Sequence, residues 1–197
     1  MFSKIVRRTH MYLALALMPW VLMYAISTMV MNHREFFLEK YGGQMVRFEK
    51  EREAPYEKAF PSGATPQQMA AQIVKDFDLD GTHNVRKGPN GTFIILRQDA
   101  LAQKRLTYDP AARKVSVDKE IFRSQPFLER MHRRRGFQSP YAVDDFWAAT
   151  VDIFIAGMIF WVLSGLWMWW EMKVTRAWGA VFGLAGVALF AFFLSAL

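Results

Sequence analysis

Three long apolar runs constrain this chain more than any other feature. They are Met11–Met31 with 21 residues, Phe146–Trp170 with 25 residues, and Trp178–Leu197 with 20 residues. The second run is interrupted only by Asp152. About 20 apolar residues at ~1.5 Å rise cover the ~30 Å hydrocarbon core of a bilayer, so each run is long enough to cross it. We therefore predict three transmembrane helices.

The first run reads as a retained membrane anchor. Its apolar part is longer than the ~7–15 residues of a signal-peptide core. The segment that follows, Met29–His33, is bulky and carries no small-residue cleavage site. We expect residues 1–33 to form an N-terminal transmembrane helix and residues 146–197 to form two C-terminal ones.

The orientation follows from the basic residues of the short flanks. They precede the first run and occupy the link between the second and third runs: Lys4, Arg7, Arg8, Lys173 and Arg176. The positive-inside rule makes both flanks cytoplasmic and puts residues 34–145 outside. The basic stretch Arg130–Arg135 lies on the side that this rule makes external, where few basic residues are expected. Long domains, however, cross the membrane largely regardless of their charge. We expect a bacterial inner-membrane protein with a cytoplasmic N-terminus and a periplasmic domain.

The segment between the spans carries a clear helix signal. Thr65 is a good N-cap, and Pro66 suits the first helical position. Met69, Ile73 and Phe77 then recur every four residues, which places them on one helix face. We predict a helix from this point, ended by Asp80 and Gly81.

Short strands are predicted after this helix. Asn90-Gly91 is a strong hairpin signal, and Asp109–Arg113 reads as a turn. The predicted strands are Asn84–Lys87, Thr92–Arg97, Arg105–Tyr108 and Lys114–Asp118. The fold class is thus α+β: three transmembrane helices and, at about residues 61–118, a small domain with one helix on an antiparallel sheet.

Two of these segments resemble a PepSY domain: Thr65–Ala70, which reads Thr-Pro-Gln-Gln-Met-Ala, and Tyr108–Val115 with its Tyr-Asp-Pro turn. The flanking segments resemble the PepSY-associated transmembrane family. These are Arg7–His10 entering the first span, Leu128–His132, and Leu163–Trp170 with its Ser-Gly-Leu-aromatic pattern. The resemblance covers nearly the whole chain.

The resemblance implies a function. Larger members, with four or more spans, resemble inner-membrane ferric-siderophore reductases that carry haem b. By this resemblance the present chain is expected to bind haem b and to act on a ferric-siderophore. It departs from the pattern because it has three spans and because Thr28-Met29 stands where the family usually has Thr-Gly.

The histidines are the candidate haem ligands. The chain has no cysteine, so a redox centre must use His or Met ligands. His10 and His33 flank the first run, roughly 34 Å apart along a helix. We predict that His33 and His132 hold the iron of one haem near the external face, with Arg133 and Arg134 neutralising the propionates. The alternative is that each His is simply an amphipathic side chain at a membrane interface.

His10 stands apart because no other histidine is predicted on its side of the membrane. It could pair with His10 of a second protomer and hold a second haem in a homodimer. It could also pair with Met11 or Met172, or only mark the helix end. His83 reads as a solvated turn residue. Asp152, within the second run, is either a proton relay or ion-pair partner, or a carboxylate reaching back to the headgroups.

Two classes of function remain open. The first is a haem-dependent oxidoreductase that passes electrons to a periplasmic acceptor. The second is a non-enzymatic, membrane-anchored regulator or accessory protein that binds a peptide, protein or membrane complex. The sequence contains no phosphate-binding loop and no nucleophile–base pair, so we expect no ATPase or hydrolase activity. Membrane lipid is an expected partner, and nucleic acid is not.

Overall fold

The computed structural model describes residues 1–79, 81–134, 136–137 and 140–197. Within them the chain is α+β, and the element bounds are α1 Phe2–Asn32, α2 Arg34–Lys40, β1 Phe48–Pro55, α3 Pro66–Asp76, β2 His83–Lys87, β3 Phe93–Arg97, β4 Lys104–Asp109, β5 Lys114–Glu120, α4 Ser124–Arg133, α5 Ala142–Glu171 and α6 Arg176–Ala196. Two predicted features, the helix-ending Asp80 and the basic Arg135, lie outside the described residues.

Three helices match the apolar runs. α1, α5 and α6 are each long and apolar enough to cross a membrane, with mean hydropathies of 1.9, 1.9 and 2.1. α1 contains Pro19, which membrane helices accommodate more readily than soluble ones. The prediction of three long apolar helices is confirmed, and this is compatible with a multi-pass membrane protein.

The chain divides into two compact units. The first, here the helical unit, contains residues 1–21 and 150–197. The second, here the sheet unit, contains residues 22–149.

Local signals define the start of α3. The Thr65 hydroxyl accepts a hydrogen bond from the backbone N–H of Gln68, and the Gln68 side chain accepts one from the backbone N–H of Thr65. This capping box satisfies two N–H groups that would otherwise lack a partner. The predicted N-cap at Thr65 and the first-turn Pro66 are both confirmed.

The sheet is antiparallel in every pairing, with strand order β1-β5-β4-β3-β2. The predicted hairpin at Asn90-Gly91 joins β2 to β3, and both residues have positive φ angles of 55° and 75°. In the turn between β4 and β5, the carboxylate of Asp109 accepts hydrogen bonds from the backbone of Ala111 and Ala112. Both turn predictions are confirmed.

The core lies between α3 and one face of the sheet. Ile73 and Val74 of α3 are fully buried there, together with Ile95 of β3 and Leu106 of β4. Phe77 is only partly buried at the edge of this cluster. The predicted contact between this helix face and the strands is therefore confirmed, with Ile73 rather than Phe77 at its centre.

Two elements were not anticipated from the sequence. β1 adds a fifth strand at the edge of the sheet beside β5, so the prediction of four strands was incomplete. β1 is largely exposed along its length, which explains why it lacks the alternation of a half-buried strand. α4 is a short, arginine-rich helix after β5, and it carries His132.

Candidate functional site

His10 is held inside the helical unit by a serine and a tryptophan of α5. Its Nδ1 lies 2.8 Å from the hydroxyl oxygen of Ser164. Its ring stacks on Trp161 with a centroid distance of 5.3 Å and an interplanar angle of 17°. Gly165 leaves room beside the ring, since a Cβ there would lie 3.4 Å from Cε1 of His10. The imidazole thus has a fixed orientation.

His132 has a similar setting in the sheet unit. Its Nδ1 lies 2.8 Å from the hydroxyl oxygen of Ser27, which is fully buried in α1. Its ring meets the edge of Tyr24 at a centroid distance of 5.1 Å and an angle of 74°. Each histidine therefore contacts its own serine, and each serine follows the aromatic residue that contacts the same ring by three positions, about one helical turn.

The serine hydrogen bonds favour one of the two imidazole tautomers. Ser27 donates its hydroxyl to the Tyr24 carbonyl at 2.9 Å, and Ser164 donates to the Trp161 carbonyl at 2.9 Å. A hydroxyl has one hydrogen, so a serine that donates to its carbonyl can only accept from the neighbouring imidazole. We infer that Nδ1–H is the donor in both histidines. Each neutral ring then keeps a lone pair on Nε2.

The repeated pattern is visible in the sequence once the structure is known. Tyr24-x-x-Ser27 and Trp161-x-x-Ser164 share the form aromatic-x-x-Ser. Residues three apart are neighbours on a helix face, so both side chains can contact one imidazole. Tyr24 and Ser27 were not among the predicted site residues, because this spacing is their only local signal and it does not indicate a histidine partner.

His33 lies at the junction between α1 and α2. Its side chain is exposed and makes no hydrogen bond with the described part of the chain. It follows Ser27 by six positions, so the two residues are roughly 120° apart around the helix axis. Its predicted pairing with His132 on one iron stays a prediction. His83 differs, since its Nδ1 lies 2.7 Å from the backbone carbonyl of Gly81.

The two arginines predicted to bind propionates are paired with protein carboxylates. Arg133 donates to Glu129 at 2.9 Å and Arg134 donates to Asp144 at 2.5 Å. The guanidinium of Arg134 also lies 5.8 Å from the ring centroid of Trp147. Any anion bound here would add to these ion pairs or compete with them.

A buried ion pair fastens α4, and with it His132, to the sheet. Nη1 of Arg130 lies 2.7 and 2.8 Å from the two carboxylate oxygens of Glu120. Glu120 also accepts a hydrogen bond from the backbone of Gln103 at 2.9 Å. Arg130 precedes His132 by two residues, so the pair restrains the helix that presents the imidazole.

Asp152 projects from the exposed surface of α5. It has no hydrogen bond or ion pair with any residue that the structure describes. Neither His33 nor an arginine contacts it within that part of the chain. The choice between a relay role and a carboxylate reaching the headgroups stays open to experiment.

An apolar groove of about 500 Å³ lies along α1 and α5 in the helical unit. Its wall includes Thr9 and Leu13 of α1, which flank His10 in sequence, and Gly157 and Phe160 of α5. The groove is almost wholly apolar, and His10 itself is not part of its wall.

Comparisons with protein-family models, curated proteins and solved structures found no match to this chain. Among the described residues, no group of three or more His, Asp or Glu side chains could hold a metal ion. The two serine-anchored histidines are therefore the features from which a function can be inferred.

Proposed function

We propose that this chain is an inner-membrane haem b protein with oxidoreductase activity, passing electrons to a periplasmic acceptor. The observation that carries the proposal is the shared geometry of His10 and His132. In each, a buried or nearly buried serine engages Nδ1 and leaves the Nε2 lone pair for a ligand. Histidines that bind metals usually have their other nitrogen fixed in this way.

The residues present fit haem b. The iron of this group takes neutral imidazole ligands, and in a neutral ring with its proton on Nδ1 the Nε2 lone pair is left for the iron. His10 would hold the group in the helical unit, where Gly165 lies beside the ring. His132 would hold it in the sheet unit, with His33 as the predicted second ligand. Bound haem would supply one-electron transfer, which no side chain of this cysteine-free chain provides readily.

The protein's own contribution is to orient and shield the imidazoles. Ser27 and Ser164 prevent each ring from rotating about its Cβ–Cγ bond and strengthen Nε2 as a donor. Tyr24 and Trp161 cover part of each ring and limit its contact with water. Loss of either serine should therefore lower ligand strength without removing the ligand.

The membrane topology and the family assignment belong to the same proposal. We take α1, α5 and α6 as the spans, with the N-terminus cytoplasmic and the sheet unit periplasmic. The helix on an antiparallel sheet, with its Tyr-Asp-Pro turn at Tyr108–Pro110, supports the resemblance to a PepSY domain. By that resemblance a ferric-siderophore is the candidate acceptor.

The test is the optical spectrum of the purified full chain after expression with haem supplied. We expect a Soret band and a reducible α-band. His132→Ala and His10→Ala should each remove or shift part of this spectrum. His83→Ala is the matched control, because His83 bonds to a backbone carbonyl and not to a serine. A colourless wild-type protein, or His10 and His132 variants with unchanged spectra, would rule out the haem proposal.

A second candidate function is a membrane-anchored binding module without redox activity. The observation that favours it is a cavity of about 560 Å³ in the sheet unit, with arginine and glutamine side chains in its wall. A colourless protein that still bound a ligand in this cavity would establish this function in place of the first.

A further inference from the structure

The cavity of the sheet unit lies where α4 passes the segment that joins β3 to β4. Its wall includes Gln98 and Gln103 from the segment between β3 and β4, Arg130 and Arg133 from α4, and Arg134 directly after α4. Its volume of about 560 Å³ would hold a small organic molecule. His132 lies on the same helix and contacts α1 instead.

Two arginines of the cavity wall carry hydrogen-bond donors that the described part of the chain leaves unused. The Nε–H groups of Arg130 and Arg134 are buried and have no acceptor among the described residues. The side-chain amides of Gln98 and Gln103 also make no hydrogen bond there. A buried donor without an acceptor costs about 1–3 kcal/mol, and more when it is charged. A ligand that brings oxygen acceptors would recover this cost.

The acidic side chains in the wall do not meet this need. Glu129 and Asp144 are engaged by Arg133 and Arg134. Asp99 is paired with Arg97 at 2.7 Å. The carboxylates of the wall thus already accept hydrogen bonds from other guanidinium nitrogens. The groups without a hydrogen bond among the described residues are the two Nε–H groups and the two side-chain amides.

The guanidinium groups of the wall favour a carboxylate ligand. The sheet unit has 20 lysines and arginines against 16 aspartates and glutamates over residues 22–149, a small positive excess. In the wall itself three arginines lie beside three carboxylates, so recognition depends on the guanidinium edge, which matches a carboxylate in shape and charge. We propose that this cavity is a carboxylate-binding site, with the Nε–H groups of Arg130 and Arg134 as the anchoring donors.

Two sources could supply the carboxylate. One is a free organic acid, and the other is a propionate of the haem proposed above. The carboxylate chemistry is the same in both, and the site goes beyond the proposed function because a free acid needs no haem. It can therefore be tested on protein that has never bound haem.

The experiment measures citrate binding to the haem-free full chain in detergent by isothermal titration calorimetry. Triethyl citrate, which has the same skeleton without charge, is the ligand control. Arg134→Lys keeps the charge but removes the Nε–H, and losing one charged hydrogen bond should weaken binding about tenfold. Gln98→Ala is a second variant that touches neither ion pair. Arg86→Lys, on an exposed part of β2, is the matched protein control.

Binding of citrate but not its ester, weakened by Arg134→Lys and Gln98→Ala and unchanged by Arg86→Lys, would establish a free acid as ligand. A parallel titration compares haem with its dimethyl ester. If only haem binding depends on free carboxylates and on Arg134, the propionate is the source. If citrate does not bind and the ester binds as tightly as haem, or if the variants bind as the wild type does, the proposal is wrong. The first arm needs no haem, so it does not depend on the proposed function.

Discussion

Removing one partner of the ion pair between Glu120 and Arg130 should strongly destabilise the sheet unit. The Glu120 side chain is 0% exposed and that of Arg130 is 20% exposed, so water screens the pair poorly. Arg130→Met removes the cation and leaves the carboxylate buried with one backbone hydrogen bond from Gln103. Leaving one charge of a buried pair without its partner typically costs about 3–5 kcal/mol.

A double-mutant cycle separates the interaction energy between Glu120 and Arg130 from the contacts that each side chain makes with other residues. Replacing both residues, as Glu120→Leu with Arg130→Met, removes the unpaired charge and should recover most of the lost stability. Arg133→Met is the control on the same helix. The Arg133 side chain is 68% exposed, so its pair with Glu129 should contribute at most about 1 kcal/mol.

The assay is urea denaturation of the full chain in detergent, read by pulse proteolysis of the sheet unit. The midpoint shift multiplied by the slope gives the change in the free energy of unfolding. Arg130→Met should lower that free energy far more than Arg133→Met does. Equal effects of the two, or a double variant less stable than Arg130→Met, would refute the assignment of a buried, mutually dependent pair.

Three further predictions concern the core, the pH dependence and the topology. Ile73→Ala should lower the free energy of unfolding by about 2–5 kcal/mol, because Ile73 is fully buried. Phe77→Ala should lower it by less than the ~3–5 kcal/mol of a fully buried phenylalanine, because Phe77 is only partly buried. Proteolysis of both variants checks these values. Burial, with a hydrogen bond to Asp76, raises the pKa of Tyr56 to about 12. As the pH rises, Tyr56 loses its proton in the unfolded chain before it does so in the folded one. The free energy of unfolding should therefore fall between about pH 10 and 12, and it should fall less steeply in Tyr56→Phe. A fusion at Leu197 should give phosphatase activity and no GFP fluorescence; the reverse result would overturn the proposed topology.

The sequence predicts best where the signal is local. Thr65 and Pro66 define the start of α3, and Asn90-Gly91 defines a hairpin, because each motif satisfies its own backbone geometry. The three apolar runs are recognised for a similar reason, since length and composition alone decide whether a helix can span a bilayer. These elements need no knowledge of what they contact.

The rest depends on contacts between distant segments. β1 is held by pairing with β5, and its charged residues face solvent on both sides, so no alternation marks it. The contact between His132 and Ser27 joins residues 105 positions apart. Nothing near either residue in sequence indicates that contact, and the same holds for His10 and Ser164. The candidate ligands were therefore predictable as histidines, while their serine anchors were not.

Haem stoichiometry tests the central claim most directly. The pyridine haemochrome assay gives moles of haem b per mole of purified chain. If the two serine-anchored histidines are separate ligands, His10→Ala and His132→Ala should each lose about half of the wild-type haem, and the double variant should lose all of it. His83→Ala should keep the full amount. A double variant with wild-type haem content, or a wild-type chain without haem, would contradict the account.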